Sequence, residues 1–266
     1  MAAERLTEPL RTVIIGSGNV ATAVAPALER AGAVTVEAVY SPTYAHAAEL
    51  AGKLNNAVAV DKACDVPADA DLYIVAVKDD AVAKVAAELP RNNAVWLHTS
   101  GGVPAETLSP LTDNYGVFYP LQTFSKGVDV NLAEVPVFVE GSNDMTLSVA
   151  ERLGRAISPK VHHADDDTRC KMHAAAVFAC NFTNHLWAIA DDILCREAGV
   201  DLSVLHPLLK ETLRKAMLGR PSDGQTGPAV RGDRGVMDKH AGLLADDEAR
   251  LYRELSEHIM DYYGVK

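Results

Sequence analysis

The chain has 266 residues, 48% of them hydrophobic and 23% charged, and a formal net charge of -11. That length predicts about two domains, each with enough core to fold without disulfides or metals. The negative balance repels phosphate backbones and anionic lipid, and no apolar run approaches the roughly 20 residues that span a bilayer, so nucleic acid and membrane are poor partners.

Met1 to Arg11 lacks the basic and then apolar layout of a secretory leader, which predicts a cytoplasmic protein. The four cysteines, Cys64, Cys170, Cys180 and Cys195, show no CxxC or zinc-like spacing. They are expected as reduced thiols, the last three as small buried hydrophobes in one helical stretch.

From Arg11 to about Gly141, short apolar runs alternate with alanine-rich amphipathic stretches, the signature of parallel βαβ units. The pattern predicts strands over 12–15, 34–40, 57–60, 72–77, 95–98, 117–119 and 135–139, with helices over 20–31, 45–54 and 81–89. The near-continuous apolarity of Thr12-Val-Ile-Ile and Leu72-Tyr-Ile-Val-Ala-Val suits strands covered on both faces. After about Asn143 strand signals give way to helical segments over 146–157, 168–198, 203–218, 236–244 and 246–262. The reading is therefore a doubly wound α/β domain over 10–142 and an all-α domain over 143–266. The principal helix, with Asp167 as N-cap and Gly199 as C′, would be about 45 Å long and suits a spine or a dimer interface. The Gly- and Pro-rich stretch 219–235 reads as a loop.

The strongest chemical signal is Gly16-Ser17-Gly18-Asn19-Val20-Ala21, a G-x-G-x-x-A sequence between a predicted strand and a predicted helix. Gly16 allows the tight turn, Gly18 leaves room for a pyrophosphate, Ala21 permits close helix-to-strand packing, and the helix N-terminus faces the anion. In this context the segment predicts a Rossmann domain that binds NAD or NADP. About 20 residues on, where NAD enzymes carry an acid for the ribose, the chain reads Val39-Tyr40-Ser41-Pro42-Thr43. Without a carboxylate there a 2′-phosphate is not repelled, and Ser41 and Thr43 can donate to it, which favours NADP. No Arg lies nearby, and His46 is the one adjacent candidate for positive charge. The missing acid also argues against S-adenosylmethionine.

Ligands of open α/β sheets sit beyond the carboxyl ends of the strands. Ala76 and Val77 at the end of the fourth strand, and Thr99, Ser100 and Gly101 after the fifth, are thus cofactor or substrate candidates, with a capped turn as the plain alternative. Gln122, in Tyr119-Pro120-Leu121-Gln122-Thr123-Phe124, would line a pocket wall or a packed loop. On the long helix His173, Val177, Cys180 and Asn184 share one face at about 100° per residue, with Asn181 on its flank. His173 is the first choice of proton donor, because histidine titrates near neutrality. Lys171 is its rival, and helix-to-helix hydrogen bonding is the structural alternative. Gln225 and Arg231 in the loop would contact substrate, Arg231 as a fork for a carboxylate, unless the loop is simply solvated. His162, His163 and Asp165 lack a third His at ligand spacing, and no metal is expected.

The glycine turn, His98-Thr-Ser-Gly-Gly, Tyr119-Pro-Leu-Gln-Thr-Phe, Lys171-Met-His-Ala-Ala-Ala-Val-Phe-Ala-Cys-Asn-Phe-Thr-Asn184 and Gln225-Thr-Gly-Pro-Ala together resemble a bacterial family of Rossmann-like proteins with an uncharacterised helical C-terminal domain. That family looks like a relative of pyrroline-5-carboxylate reductases, coenzyme F420-dependent NADP oxidoreductases and the 6-phosphogluconate and β-hydroxyacid dehydrogenases. The resemblance implies NADP and a homodimer built through the helical domain. In β-hydroxyacid dehydrogenases a catalytic Lys is followed four residues later by Asn; here Lys171 is followed by Ala175. The sequence thus supports hydride transfer to or from a small carbonyl, hydroxy acid or cyclic imine in an interdomain cleft. His173 would serve as acid or base, with Ser100 and Asn184 as anchors. A non-catalytic nucleotide-responsive protein is the alternative, and a transferase or lyase a weaker one.

Overall fold

A computed structural model describes residues 8–266; Met1 to Thr7, part of the segment judged to lack a leader, lies outside the described residues. The first apolar run forms β1 (Leu10–Ile15), followed by α1 (Asn19–Arg30), β2 (Val34–Tyr40), α2 (Tyr44–Ala51), β3 (Val58–Val60), β4 (Leu72–Val75), α3 (Asp79–Glu88), β5 (Val95–His98), β6 (Tyr115–Pro120), β7 (Val137–Gly141), α4 (Asp144–Ile157) and β8 (Val161–His163). The eight strands make one sheet in the order β3-β2-β1-β4-β5-β6-β7-β8. Parallel pairing runs from β3 to β6. Strand β7 lies antiparallel to β6, and β8 is parallel to β7.

Two features depart from the sequence reading. The sheet is parallel-dominated rather than wholly parallel, since the connection between β6 and β7 forms no α-helix with which to make a parallel crossover. Strand structure also continues past residue 143. β8 is only three residues long, with two histidines, and carries no apolar run by which to recognise it.

Alternate residues along each strand serve opposite faces. Ile14, Ile74, Leu97 and Phe118 enter the core beneath α1, α2 and α4, whereas Val13, Ile15, Tyr73, Val75 and Trp96 enter the core with Val82 and Val85 of α3. In the second core the Tyr73 and Trp96 rings stack at 4.0 Å, and the Trp96 Nε1–H donates to Asn92 Oδ1 at 2.9 Å. Helix α4 carries Val149, Ala150 and Leu153 into the first core. Contacts accordingly divide the chain after Val177 rather than near residue 142, into units over 8–177 and 178–266.

The stretch 166–198 is helical throughout: α5 (Asp166–Ala176), a π-helical segment Val177–Phe182, α6 (Thr183–Ile193) and a second π-helical segment Leu194–Ala198. Its N-cap is Asp165, whose carboxylate accepts the Thr168 amide at 2.9 Å, and not Asp167. Gly199 ends it with φ +66, a left-handed conformation that glycine adopts without a Cβ clash. The π-helical turns, with i→i+5 bonding, break the 3.6-residue period on which the face shared by His173 and Asn184 was drawn.

The C-terminal unit continues with α7 (His206–Leu218), α8 (Arg234–Ala241) and α9 (Asp246–Tyr262). Its small core joins Ala229, Met237 and Met260. Among the described residues α6 and α7 bury none, and Phe178, Leu208, Met217 and Leu218 are exposed. All four cysteines are exposed, which corrects the expectation that Cys170, Cys180 and Cys195 are small buried hydrophobes; the helical stretch that carries the last two has no fully buried residue.

Because α4 packs on the sheet, Leu153→Ala is expected to remove about 3 kcal/mol from the unfolding free energy of the N-terminal unit, checked by urea denaturation followed through Trp96 fluorescence.

Candidate functional site

The strand order reverses direction between β1 and β4, and the carboxyl ends of those strands flank the glycine turn. Gly16 has φ +107, and a Cβ built on it would lie 2.3 Å from the Ala76 carbonyl oxygen, so no other residue fits. The Gly16 amide donates to Tyr40 O at 2.8 Å and the Ala76 amide to Ile15 O at 2.7 Å, which locks the turn to both neighbouring strands. Gly18 differs: its nearest neighbour for an added Cβ is 4.0 Å away, so the space above it is open. Gly18 is also the N-cap of α1 and offers no side-chain cap, leaving first-turn amides for an anion.

A cavity of about 930 Å³ begins at this turn. The cofactor candidates Gly16, Ser17, Gly18, Asn19, Val20, Ser41, Thr43, Ala76, Val77 and Thr99 all line it, as do Ser100, Gly101, Gln122 and His173. Asn181, Asn184, Gln225 and Arg231 belong to the C-terminal unit, where each is exposed. Lys171, the rival acid, is exposed and paired with Asp167. His163 pairs with Glu151, and His162 stacks on Phe138 at 5.4 Å.

Several candidates have local structural tasks. The Ser100 hydroxyl oxygen accepts the Gly102 and Val103 amides, each at 3.1 Å, as in a capped turn. The Asn19 side-chain amide donates to Phe124 O at 2.9 Å, fastening the loop after β6 to the glycine turn. Gln122 Oε1 accepts the Thr123 amide at 2.7 Å.

Among the lining residues that the sequence does not single out, Lys84 and Tyr119 carry the most chemistry. Lys84 on α3 brings an ammonium to the cavity that Ser41 and Thr43 also line, where His46 had been the one cation considered. Its partner Glu88 is 3.8 Å away, a weak exposed pair. Tyr119 had been only part of a wall. Its hydroxyl lies 2.9 Å from His173 Nδ1, and burial pushes the phenol up to about 12, with Asp79 adding to the rise. Proximity of this kind, between residues 54 apart in sequence, has no spacing signature.

His173 reaches the cavity because Gly101 has no side chain: a Cβ there would lie 2.7 Å from His173 Cγ and Nδ1. One turn earlier, the Arg169 guanidinium is 1% exposed and binds Glu140 Oε2 at 2.5 Å, Val103 O at 2.8 Å and Asp166 Oδ1. Asp166 Oδ1 also accepts the Ala105 amide at 2.9 Å. This cluster fixes α5 against β7 and the loop after β5. Burial pushes the Glu140 carboxyl up, against the pull of Arg169.

Residues 3–122 match a Rossmann-like domain and residues 135–259 match a domain of unknown function, DUF2520. The structure of a putative NADP oxidoreductase from Bacteroides fragilis is 39% identical, covers 95% of this chain and 98% of that one, and superposes with a TM-score of 0.86. The chain belongs to the family that joins a Rossmann-like domain to DUF2520. A Thermotoga maritima protein shares the fold at 21% identity and TM-score 0.67, covering 95% of this chain and 98% of its own. So does a reductive aminase from Aspergillus terreus in complex with NADPH and ethyl-5-oxohexanoate, at 17% identity and TM-score 0.69, covering 96% and 94%. No curated protein matches the chain.

His98, at the end of β5, is fully buried; its Nδ1 accepts the Ser100 amide at 3.2 Å and its Nε2 has no hydrogen-bond partner among the described residues. Burial, aided by the Arg169 charge, lowers it from the ordinary 6.5 to about 4. Between those values the unfolded chain binds a proton that the folded chain refuses. Stability is therefore intact above pH 6.5 and falls as pH drops towards about 4, by up to about 3 kcal/mol. The expected result is that His98→Asn removes this part of the acid-side decline in thermal melting, read as the difference between variant and parent across pH 4 to 7.

Proposed function

We propose that the chain is an NADP-dependent oxidoreductase acting on a small carbonyl, hydroxy acid or cyclic imine. The observation that carries this reading is that one cavity joins an anion-ready glycine turn to a histidine and a tyrosine in hydrogen-bond contact. A dinucleotide needs the first; a hydride transfer that adds or removes a proton needs the second. The printed name of the Bacteroides fragilis relative and the NADPH in the Aspergillus terreus structure support the same choice.

The residues present fit the cofactor. Gly16 and Gly18 would hold the pyrophosphate with the first amides of α1, and Ala76, Val77 and Thr99 would border the nicotinamide half. When bound, the reduced nicotinamide supplies the hydride. Ser41, Thr43 and Lys84 would hold the 2′-phosphate, since the strand end carries no acid that would take ribose hydroxyls instead. His173 holds a proton next to the place where the substrate's oxygen or nitrogen would lie. The oligomer proposed is a homodimer, supported by the unpacked apolar residues of α6 and α7. Sedimentation of the intact chain is expected to give a dimer at micromolar concentration; a monomer with these residues still exposed would remove that part of the reading.

Calorimetric titration tests the cofactor assignment. NADPH is expected to bind, and Gly18→Asp to weaken it by on the order of 100-fold through like-charge contact with the pyrophosphate. Lys84→Ala is expected to cost about tenfold for NADPH, roughly 1.4 kcal/mol, and less than about twofold for NADH. Equal losses for the two nucleotides would exclude Lys84 from the 2′-phosphate site, and no binding of either would overturn the oxidoreductase reading.

A further inference from the structure

The hydroxyl of Tyr119 sits at the end of β6 with the side chain 7% exposed, and it has two directions in which to bond. One is occupied by His173 Nδ1 at 2.9 Å. The residue also borders the cavity, together with Ser100, Gln122 and His173. A phenol both donates and accepts, so this oxygen can take a hydrogen bond from an imidazolium Nδ1–H while turning its own O–H into the cavity. Of the other candidates for that task, Ser100 has its oxygen held by two amides and no group placed to replace its proton, and Lys171 is exposed and ion-paired.

Resting on the oxidoreductase reading above, we propose that Tyr119 is the catalytic acid that protonates the reacting oxygen or nitrogen of the substrate, and that His173 recharges it through Nδ1. As hydride reaches the carbon, the C=O or C=N π pair moves onto the heteroatom. The heteroatom takes the Tyr119 Oη proton, and Oη takes the proton of His173 Nδ1. The imidazolium becomes neutral and regains a proton from solvent. One hydride and one proton are added in all, and no charge is left on the phenol.

The surroundings explain why two residues are needed. Burial, with the charge of Asp79 beside it, raises the phenol to about 12, so Tyr119 keeps its proton across the ordinary pH range and is a weak acid alone. A buried phenolate is costly, and delivery must coincide with replacement from the histidine. Asp79 on α3 and Arg169 on α5 are the charged groups acting on Tyr119, with opposite signs. The imidazole is held for this exchange on two sides, by the bare backbone of Gly101 and, one turn back, by the buried Arg169 cluster. Gly101 is thus a positioning residue: a side chain there would push the imidazole off the hydroxyl.

The test compares NADPH consumption with a neutral panel of ketones and cyclic imines against N-methylated iminium cations, which take hydride and need no proton. Tyr119→Phe is expected to lower kcat on the neutral compounds by about 100-fold or more, while iminium reduction stays within about twofold and KM for NADPH is unchanged. His173→Gln is expected to lower kcat on the neutral compounds as Tyr119→Phe does, and again to leave iminium reduction within about twofold. Slowing of both compound classes by Tyr119→Phe to the same degree would overturn the relay and leave the oxidoreductase reading standing. No turnover of either class by the parent would overturn both. Without any substrate, nitrogen-15 spectra of histidine-labelled protein at fixed pH are expected to show the His173 Nδ1 resonance moved by Tyr119→Phe; an unmoved resonance would also overturn the relay.

Discussion

The arrangement around the cavity depends on a single buried guanidinium. Arg169 ties the first turn of α5 to Glu140 on β7 and to the Val103 carbonyl after β5, so the helix that carries His173 has one permitted height over the strand ends. A buried ion pair of this kind adds little net stability over apolar packing, because desolvation offsets the Coulomb gain. What it adds is position. Arg169 Nε has no partner among the described residues, so the geometry is kept here even at the cost of a buried donor. The same charge acts on its neighbours, helping to keep His98 neutral and drawing the Tyr119 phenol down against the effect of burial.

That constraint matters because the two halves of the site arise from unrelated parts of the chain. The nucleotide half is a property of β1, the turn after it and α1, fixed by backbone hydrogen bonds at the switch point of the sheet. The proton half combines a strand end, Tyr119, with a helix that begins nearly 50 residues later. Contact between Gly101 and His173 joins them, and it exists only because one residue has no Cβ and the other is held from behind. Side chains placed on strand ends and a clamped helix lose little entropy when a ligand meets them.

The nucleotide half was legible in sequence because local rules govern it: a strand, a glycine pair and a helix in immediate succession. Gly199 was legible for the same reason, as the one residue able to end its helix with positive φ. The proton half was half legible. His173 stood out by residue type, but Tyr119 looked like a wall residue until tertiary structure brought its hydroxyl to the imidazole. Lys84 escaped because the rule for the 2′-phosphate examines the end of β2, whereas this ammonium arrives from α3. β8 escaped because three residues pairing at a sheet edge leave no periodicity, and the π-helical segments escaped because they alter the period without changing the composition.

The apolar residues left uncovered on α6 and α7 bear on how the chain becomes a stable protein at all. Helices that bury none of their own side chains receive almost no hydrophobic stabilisation from within their unit. If a second copy covers them, as proposed, that contact supplies part of the folding free energy itself, and folding of this region and association become one equilibrium, governed by mass action. On that reading the helical unit would melt at a temperature that rises with protein concentration, whereas the sheet, which carries its own two cores, would not.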